Sequence, residues 1–179
     1  MIQFNKENVV TLEIAKKEEL QKFKRDLQEA FAAALVKTFG PNSNKPIPSD
    51  RAIEESFNAP GAVVYHILSN GKKVGGAVLA IDEITQHNSL ELFFMYANEH
   101  SRGIGYKAWK AIEEKHPETK VWETLTPYFE KRNIHFYVNK CGFRIVEYLN
   151  KHNLGSNTSG DKELPGEEDF FRFEKIMHW

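Results

Sequence analysis

The sequence has a single cysteine, Cys141, among its 179 residues. One cysteine excludes an internal disulfide framework and is typical of proteins from reducing compartments. Long apolar runs are also missing. No stretch has the length needed to span a bilayer, and the N-terminal residues Met1–Glu7 lack the apolar segment of a secretory signal. We therefore expect a soluble, cytoplasmic protein without a membrane partner.

An excess of charge of one sign is lacking as well. The chain carries 24 Lys and Arg against 25 Asp and Glu, a formal net charge of −1, so no global field favours nucleic acid. Its seven histidines are scattered without the spacing of paired metal ligands, and we expect no bound metal. The length is most simply that of one domain, residues 1–179, with a core of its own.

Hydrophobic periodicity predicts a mixed order of strands and helices. The predicted strands are Val9–Ile14, Ala62–Leu68, Lys73–Ile81, Ser89–Tyr96, Lys120–Thr124, Phe143–Leu149 and Phe170–Met177, and the predicted helices are Lys16–Phe39, a shorter one capped by Ser49 or Asp50 and ending at Phe57, Gly103–Lys115 and Pro127–Lys140. Ser69–Lys72 is typical of a hairpin turn. One strand-helix-strand unit between hairpins indicates an α+β fold with a mixed sheet, not a doubly wound parallel one.

The most informative stretch is Leu90–Trp109, an apolar strand followed by a polar turn and a helix. Gly103 and Gly105 lie where the turn passes into the helix. A helix N-terminus presents unpaired N–H groups and the positive end of the helix dipole, which together bind phosphate. Glycines let the backbone approach the anion closely. The stretch therefore predicts a phosphate or pyrophosphate site.

The same glycines also fit a competing motif. Gly103, Gly105 and Ala108 match the dinucleotide fingerprint GxGxxG/A, and Glu123 follows at the distance where that motif has an acid. In a dinucleotide fold, however, the strand runs almost directly into the first glycine. Here the polar residues 98–102 intervene, and only one strand-helix-strand unit follows. A dinucleotide-binding protein is therefore the weaker alternative.

Two short segments carry a recognisable pattern, His100–Gly105 at the polar turn and residues 136–143, a helix with Tyr137 that ends in Gly142-Phe143 before a strand. Together they resemble the two motifs of the GNAT superfamily of N-acetyltransferases. The first is similar to the acetyl-CoA motif Gln/Arg-x-x-Gly-x-Gly/Ala, with His100 in place of the usual Gln or Arg. The second is similar to the family's tyrosine-bearing helix. Tyr137 and Gly142 are five positions apart there, where the family more often has four. The resemblance covers roughly residues 62–149.

The resemblance implies a central, mostly antiparallel sheet flanked by helices. Two parallel strands, here Leu90–Tyr96 and Lys120–Thr124, splay apart at the cofactor site. It implies acetyl-CoA as acyl donor and no metal. The cofactor-binding residues implied are Met95, Tyr96, Ala97, His100, Ser101, Arg102, Gly103, Ile104, Gly105, Tyr106 and Asn133. A backbone N–H near Tyr96 would polarise the thioester carbonyl.

Acetyl transfer to an amine also requires proton transfer. An amine with a pKa near ~10 is mostly protonated at neutral pH, so a carboxylate must take its proton. Glu91 and Glu123 are the candidates, each in a strand beside the expected cleft. Otherwise Glu91 points to solvent and Glu123 forms a strand-end salt bridge. Tyr137 would return a proton to the CoA thiolate, or else be a core aromatic residue.

The acceptor is expected to be a small-molecule or peptide amine. The polar loop Lys151–Asp169 is either a solvated loop or an acidic rim favouring a cationic acceptor, such as a polyamine, an aminoglycoside or a lysine-bearing peptide. Its acidic residues are Asp161, Glu163, Glu167, Glu168 and Asp169. A CoA-binding module without turnover is a further alternative. Family members often form dimers, so a homodimer stays open. Cys141 is expected to be a buried structural thiol.

Overall fold

The computed structural model describes residues 7–41, 48–99, 103–150, 152–153 and 169–178. Within these ranges the predicted order of helices and strands is confirmed. The strands are β1 (Val10–Ile14), β2 (Ala62–Ser69), β3 (Lys72–Ala80), β4 (His87–Met95), β5 (Val121–Pro127), β6 (Arg144–Leu149) and β7 (Phe170–Ile176), and the helices are α1 (Leu20–Phe39), α2 (Asp50–Asn58), α3 (Ile104–Lys115) and α4 (Lys131–His135).

The strands form one seven-stranded sheet in the order β1-β2-β3-β4-β5-β7-β6. β4 and β5 are parallel, and the other neighbouring strands are antiparallel. The predicted α+β class with a mixed sheet is therefore confirmed. The β2–β3 hairpin turns at Asn70 and Gly71, which both have positive φ (51° and 82°), as a type I′ turn requires.

Helices cover both faces of the sheet and create two cores. The α3-side core is aromatic, and Trp109, Trp122 and Phe173 are each 0% exposed within it. The α1-side core joins α1 and α2 to the other face through Phe23 and Ile53. Successive strand residues point to opposite faces, so β2, β3 and β4 each contribute side chains to both cores.

The predicted helix Pro127–Lys140 is wrong at its start. β5 continues to Pro127, which pairs with Phe170 of β7, and α4 begins only at Lys131. Proline is tolerated at a strand end because few ladder hydrogen bonds are lost there. The last turn, Phe136–Lys140, is π-helical.

Glu19, just before α1, joins that helix to the sheet. Its carboxylate accepts hydrogen bonds from Lys73 Nζ at 2.8 Å and from the backbone N of Lys16 at 2.8 Å, and it lies 3.2 Å from His66 Nε2. The hydrogen bond from Lys73, then those from Lys16 and His66, lower the pKa of Glu19 to about 2.

This depressed pKa predicts an acid-dependent loss of stability. Because the folded-state value lies below the ordinary 4.5, the stabilising contribution is complete above pH 4.5 and disappears as the pH falls toward 2. The Tm of Glu19→Gln should therefore lie below that of wild type at pH 7. This difference in Tm should shrink as the pH falls from 4.5 toward 2. Thermal melts of both proteins from pH 7 down to pH 2 measure it. Glu18→Gln, at an exposed neighbouring position, is the matched control, and an equal Tm difference at every pH would contradict the prediction.

Candidate functional site

The two parallel strands, β4 and β5, separate after four rungs. The rungs run from His87↔Val121 to Leu90↔Thr124. Beyond them β4 continues to Met95 paired with β3, and β5 continues paired with β7. The strands therefore form a wedge whose vertex lies at Leu90 and Thr124, and the expected opening of the parallel pair is confirmed.

The edge of β4 that faces the wedge presents backbone groups without a neighbouring strand in the described part of the chain. Tyr96 N–H donates to Val74 O at 2.8 Å, so this amide points toward β3. Alternate residues of a strand direct their amides to opposite edges. The amides of Met95 and Phe93 therefore point into the wedge, and one of these, not that of Tyr96, has the direction needed to polarise a thioester carbonyl.

The side chain of Tyr96 has a structural contact instead. Its hydroxyl donates to Asp26 Oδ2 of α1 at 2.9 Å. Burial, together with this hydrogen bond, raises the pKa of Tyr96 to about 12. The contact fixes α1 across the end of β4, and both residues line a small cavity of about 360 Å³.

The helix α3 begins at Ile104, and its N-cap residue, Gly103, has a φ of 69°. Among the described residues no side chain forms a cap hydrogen bond at this end of the helix. A Cβ added at Gly103 would meet no described atom within 4 Å. The amides of Ile104, Gly105 and Tyr106 belong to the first turn, where N–H groups have no partner within the helix. These amides are therefore able to bind an anion.

A groove of about 1210 Å³ connects the wedge with the start of α3. Of the predicted site residues, it is lined by Met95, Ala97, Gly103, Ile104, Gly105, Tyr106, Asn133 and Tyr137. The structure thus brings most of the described predicted residues together. The predicted residues His100, Ser101 and Arg102 lie outside the described residues, and Glu91 and Glu123 are absent from the described lining.

The groove is more positive than the protein as a whole. Its described lining contains four cationic side chains against two carboxylates, in a chain of formal net charge −1. The cations are Lys37, Lys131, Arg132 and Lys140, and the carboxylates are Glu99 and Glu130. Clefts lined by one sign of charge concentrate ligands of the opposite sign. This groove therefore favours an anionic ligand that is long enough to reach from α3 into the wedge.

Comparison with known proteins identifies the family. Residues 21–143 match the sequence profile of the acetyltransferase (GNAT) family. The chain belongs to the GNAT family of acetyltransferases. It is also 58% identical over 173 residues to the uncharacterized protein YrkN of Bacillus subtilis (strain 168), with 94% of each chain covered. The resemblance drawn from two short motifs is confirmed, and with it the class of enzyme.

Solved GNAT structures share the fold at low sequence identity. The ribosomal-protein-S18-alanine N-acetyltransferase from Escherichia coli superposes with a TM-score of 0.68 at 12% identity, covering 96% of both chains. A Bacillus subtilis acetyltransferase solved in complex with CoA gives 0.63 at 17% identity, covering 96% of this chain and 100% of the other. A GNAT acetyltransferase from Elizabethkingia anophelis with acetyl-CoA bound gives 0.65 at 17%, covering 94% and 98%. These similarities concern the fold.

Tyr137 lies at the vertex of the wedge, on the α3 side of the sheet. It is 6% exposed, and its hydroxyl lies close enough to the side chain of Thr124 for that side chain to influence its pKa. Thr124 Oγ1 in turn donates to Leu90 O at 2.9 Å, across the last rung. Burial raises the pKa of Tyr137 above its ordinary value, the Cys141 thiol raises it further, and the contact with Thr124 opposes the rise. The phenol therefore keeps its proton at neutral pH.

The π-helical turn explains how Tyr137 reaches this position despite its spacing. Cys141 N donates to Phe136 O at 3.0 Å, which is the i to i+5 hydrogen bond of a π-helix. Phe143 N then donates to Tyr137 O at 2.9 Å. A turn closed by this longer hydrogen bond holds one residue more than an α-helical turn. The additional position in the spacing from Tyr137 to Gly142 is accommodated there.

Glu91 occupies a β-bulge directly after the vertex. On β3, Leu79 pairs with Leu90 and Val78 with Leu92, so Glu91 is the extra residue of β4. Leu90 therefore packs in the α3-side core and Leu92 against the α1-side core. The simple alternation in which Leu90 and Leu92 share a buried face is wrong, because the two leucines lie on opposite faces of the sheet. Glu91 is half-buried.

Glu123 lies one rung before the vertex, on the face of the sheet opposite α3. Its partner across the ladder is Ser89, and its Oε2 lies 3.6 Å from Arg172 Nη1. Arg172 also contacts Glu147 and Glu174, at 2.8 and 2.6 Å. The salt bridge considered for Glu123 is thus present, and it directs this carboxylate away from the wedge.

Sequence reasoning missed several groups that build the site. The C-terminal half of α1 lines the groove with Ala30, Phe31, Ala34 and Lys37. Phe93 of β4 stacks on Phe136, with ring centroids 5.9 Å apart and planes inclined by 19°. The helical periodicity of α1 indicated a buried face, but it contained no signal for the surface that this face would cover.

The remaining predictions concern other parts of the chain. Cys141 is 3% exposed, and burial raises the pKa of its thiol to about 12, which confirms a buried structural thiol. The acidic residues at 161, 163, 167 and 168 lie outside the described residues. The backbone O of Asp169 accepts a hydrogen bond from Tyr128 N at 2.7 Å. In the described ranges, no helix is both long and apolar enough to cross a membrane.

Proposed function

We propose that the protein transfers the acetyl group of acetyl-CoA to a primary amine by direct attack in a ternary complex. The observation that carries the proposal is the wedge between β4 and β5, which continues into a positive groove ending at the N-terminus of α3. A long anionic thioester fits this combination of features. The alternative of a dinucleotide-binding site gives no role to the opening between the two strands.

Each part of acetyl-CoA has a matching group in the groove. The amides of Gly103, Ile104, Gly105 and Tyr106 are proposed to bind the pyrophosphate, helped by the positive end of the α3 dipole. The pantetheine amides are proposed to pair with the wedge-facing backbone of Met95, with Asn133 lining the opposite wall. The thioester then reaches the vertex, where the amide of Phe93 or Met95 polarises its carbonyl.

The two faces of the vertex suggest separate roles in proton transfer. Glu91 is proposed to take a proton from the acceptor ammonium, so that the nitrogen attacks the thioester carbon. The C–N bond forms as the C–S bond breaks, and Tyr137 gives its proton to the leaving thiolate. Overall the acceptor loses two protons, of which one ends on the CoA thiol and the other in solvent.

A binding and turnover experiment tests the proposal. CoA and acetyl-CoA should each raise the Tm of the purified protein, whereas NAD should leave it unchanged, because a ligand that binds the native state stabilises it by mass action. Thiol release from acetyl-CoA should then depend on an added amine. The panel consists of a simple alkylamine, a polyamine, an aminoglycoside and a lysine-bearing peptide.

Two outcomes would overturn the proposal in different ways. Stabilisation by NAD without stabilisation by CoA would identify a dinucleotide-binding protein. Stabilisation by CoA without thiol release on any amine of the panel would identify a binding module without turnover.

A further inference from the structure

A serine lies beside the proposed base on the acceptor side of the vertex. Ser89 Oγ donates a hydrogen bond to Glu91 Oε1. Ser89 is also the residue of β4 that pairs with Glu123 across the parallel ladder. Ser89 and Glu123 therefore lie one rung before the vertex, and Glu91 lies directly after it.

The carboxylates of Glu91 and Glu123 have different hydrogen-bond or ion-pair partners. Glu123 has Arg172 at 3.6 Å, and that guanidinium is itself shared with two other carboxylates. The donor that the structure gives to Glu91 is the neutral hydroxyl of Ser89. A neutral hydroxyl orients a carboxylate without placing a second charge beside it.

The β-bulge explains why the side chain of Glu91 depends on a contact such as that with Ser89 for its orientation. Glu91 is the extra residue of β4, opposite the interval between Val78 and Leu79 on β3. A bulged residue has no partner directly across the ladder, so cross-strand packing does not fix its side chain. Both of these β3 neighbours are apolar and fully buried, and they offer no hydrogen bond to the carboxylate.

We propose that Ser89 is a positioning residue for acetyl transfer. Its hydroxyl holds Oε1 of Glu91, so that the other carboxylate oxygen, Oε2, points to the acceptor nitrogen at the vertex. The inference rests on the proposed function, since it assigns the orientation of the base in that reaction. Ser89 keeps its own proton throughout, and the proton of the acceptor passes to Glu91 alone.

Three variants of Ser89 and Glu91 test the inference. Ser89→Ala should lower kcat by about tenfold to a hundredfold, because a hydrogen bond to a charged group is worth roughly 1.5–3 kcal/mol. Its KM for acetyl-CoA should stay within about twofold of wild type, since Ser89 is not among the described residues that line the groove proposed for the donor. Ser89→Thr keeps the hydroxyl and should recover most of the activity. In a Glu91→Gln background, Ser89→Ala should have little further effect, because the two changes remove one unit.

Controls separate this inference from the function on which it rests. Ser69→Ala, at a buried serine of β2, should turn over like wild type. The Tm and the stabilisation by CoA should be equal in wild type and Ser89→Ala, which excludes a folding defect. Wild-type turnover with an unchanged kcat in Ser89→Ala would overturn the inference and leave the function standing. The same loss of kcat from Ser89→Ala in the wild-type and Glu91→Gln backgrounds would also overturn the role of Ser89. A wild-type protein without turnover would overturn both this inference and the proposed acetyl transfer.

Discussion

Replacing Tyr137 with phenylalanine should slow acetyl transfer by about 10²- to 10⁴-fold, the usual contribution of a positioned general acid. The phenol lies at the vertex beside Thr124, and burial raises its pKa. It therefore carries a proton at neutral pH, which it can give to the CoA thiolate. The loss should appear in kcat, while the affinity for CoA, measured by titration calorimetry, should change little.

The substitution preserves the packing around residue 137. The ring of Tyr137 contacts Phe143 and Phe173, with centroids 5.6 and 5.8 Å apart, and phenylalanine retains both contacts. Tyr65→Phe is the matched control, because Tyr65 is 3% exposed and its hydroxyl contacts His116 far from the wedge. Wild-type turnover in Tyr137→Phe would remove this residue from the mechanism.

Glu91→Gln should reduce kcat by about 10²- to 10⁴-fold, whereas Glu123→Gln should reduce it far less. Glutamine keeps the size of the side chain but accepts no proton at neutral pH. Glu91 follows the vertex directly, in a bulge, while Glu123 lies before it and within reach of Arg172. Steady-state rates of thiol release, measured for both variants with the best amine of the panel, give the comparison.

The opposite ranking of these two variants would assign the base to β5. Raising the pH provides a further check, because a more alkaline medium deprotonates the acceptor amine itself. The deficit of Glu91→Gln relative to wild type should therefore shrink toward the pKa of the amine. A deficit that is independent of pH would indicate a role in binding the acceptor and not in taking its proton.

The sequence was sufficient to predict the order of the elements and the strand, turn and helix at which the proposed anion site lies. The turn at Asn70 and Gly71 and the glycines before α3 are local signals, since their backbone angles follow from the residue type. The wedge followed from the resemblance to GNAT enzymes. No pattern within β4 or β5 indicates that the two strands separate after Leu90. Their separation depends on their pairing with the outer neighbours β3 and β7, which lie elsewhere in the sequence.

Two features of the site cannot be predicted from periodicity. The bulge at Glu91 changes which face Leu92 occupies, and the π-helical turn absorbs the additional position between Tyr137 and Gly142. Both features insert one residue into a regular element, and periodicity is read on the assumption that the element is regular. The groove surface supplied by α1 was missed for another reason, since it depends on tertiary contacts between residues distant in sequence.

The wide turn at the end of α4 has a consequence for how relatives of this protein are recognised. A chain that gains one residue between its tyrosine and the following glycine keeps the phenol in place, provided that the turn relaxes from an i+4 to an i+5 closure. The angular position of the side chain about the helix axis, not the number of intervening residues, then decides where the phenol lies. Sequence patterns with a rigid interval will overlook such enzymes, while superposition of their backbones will find them.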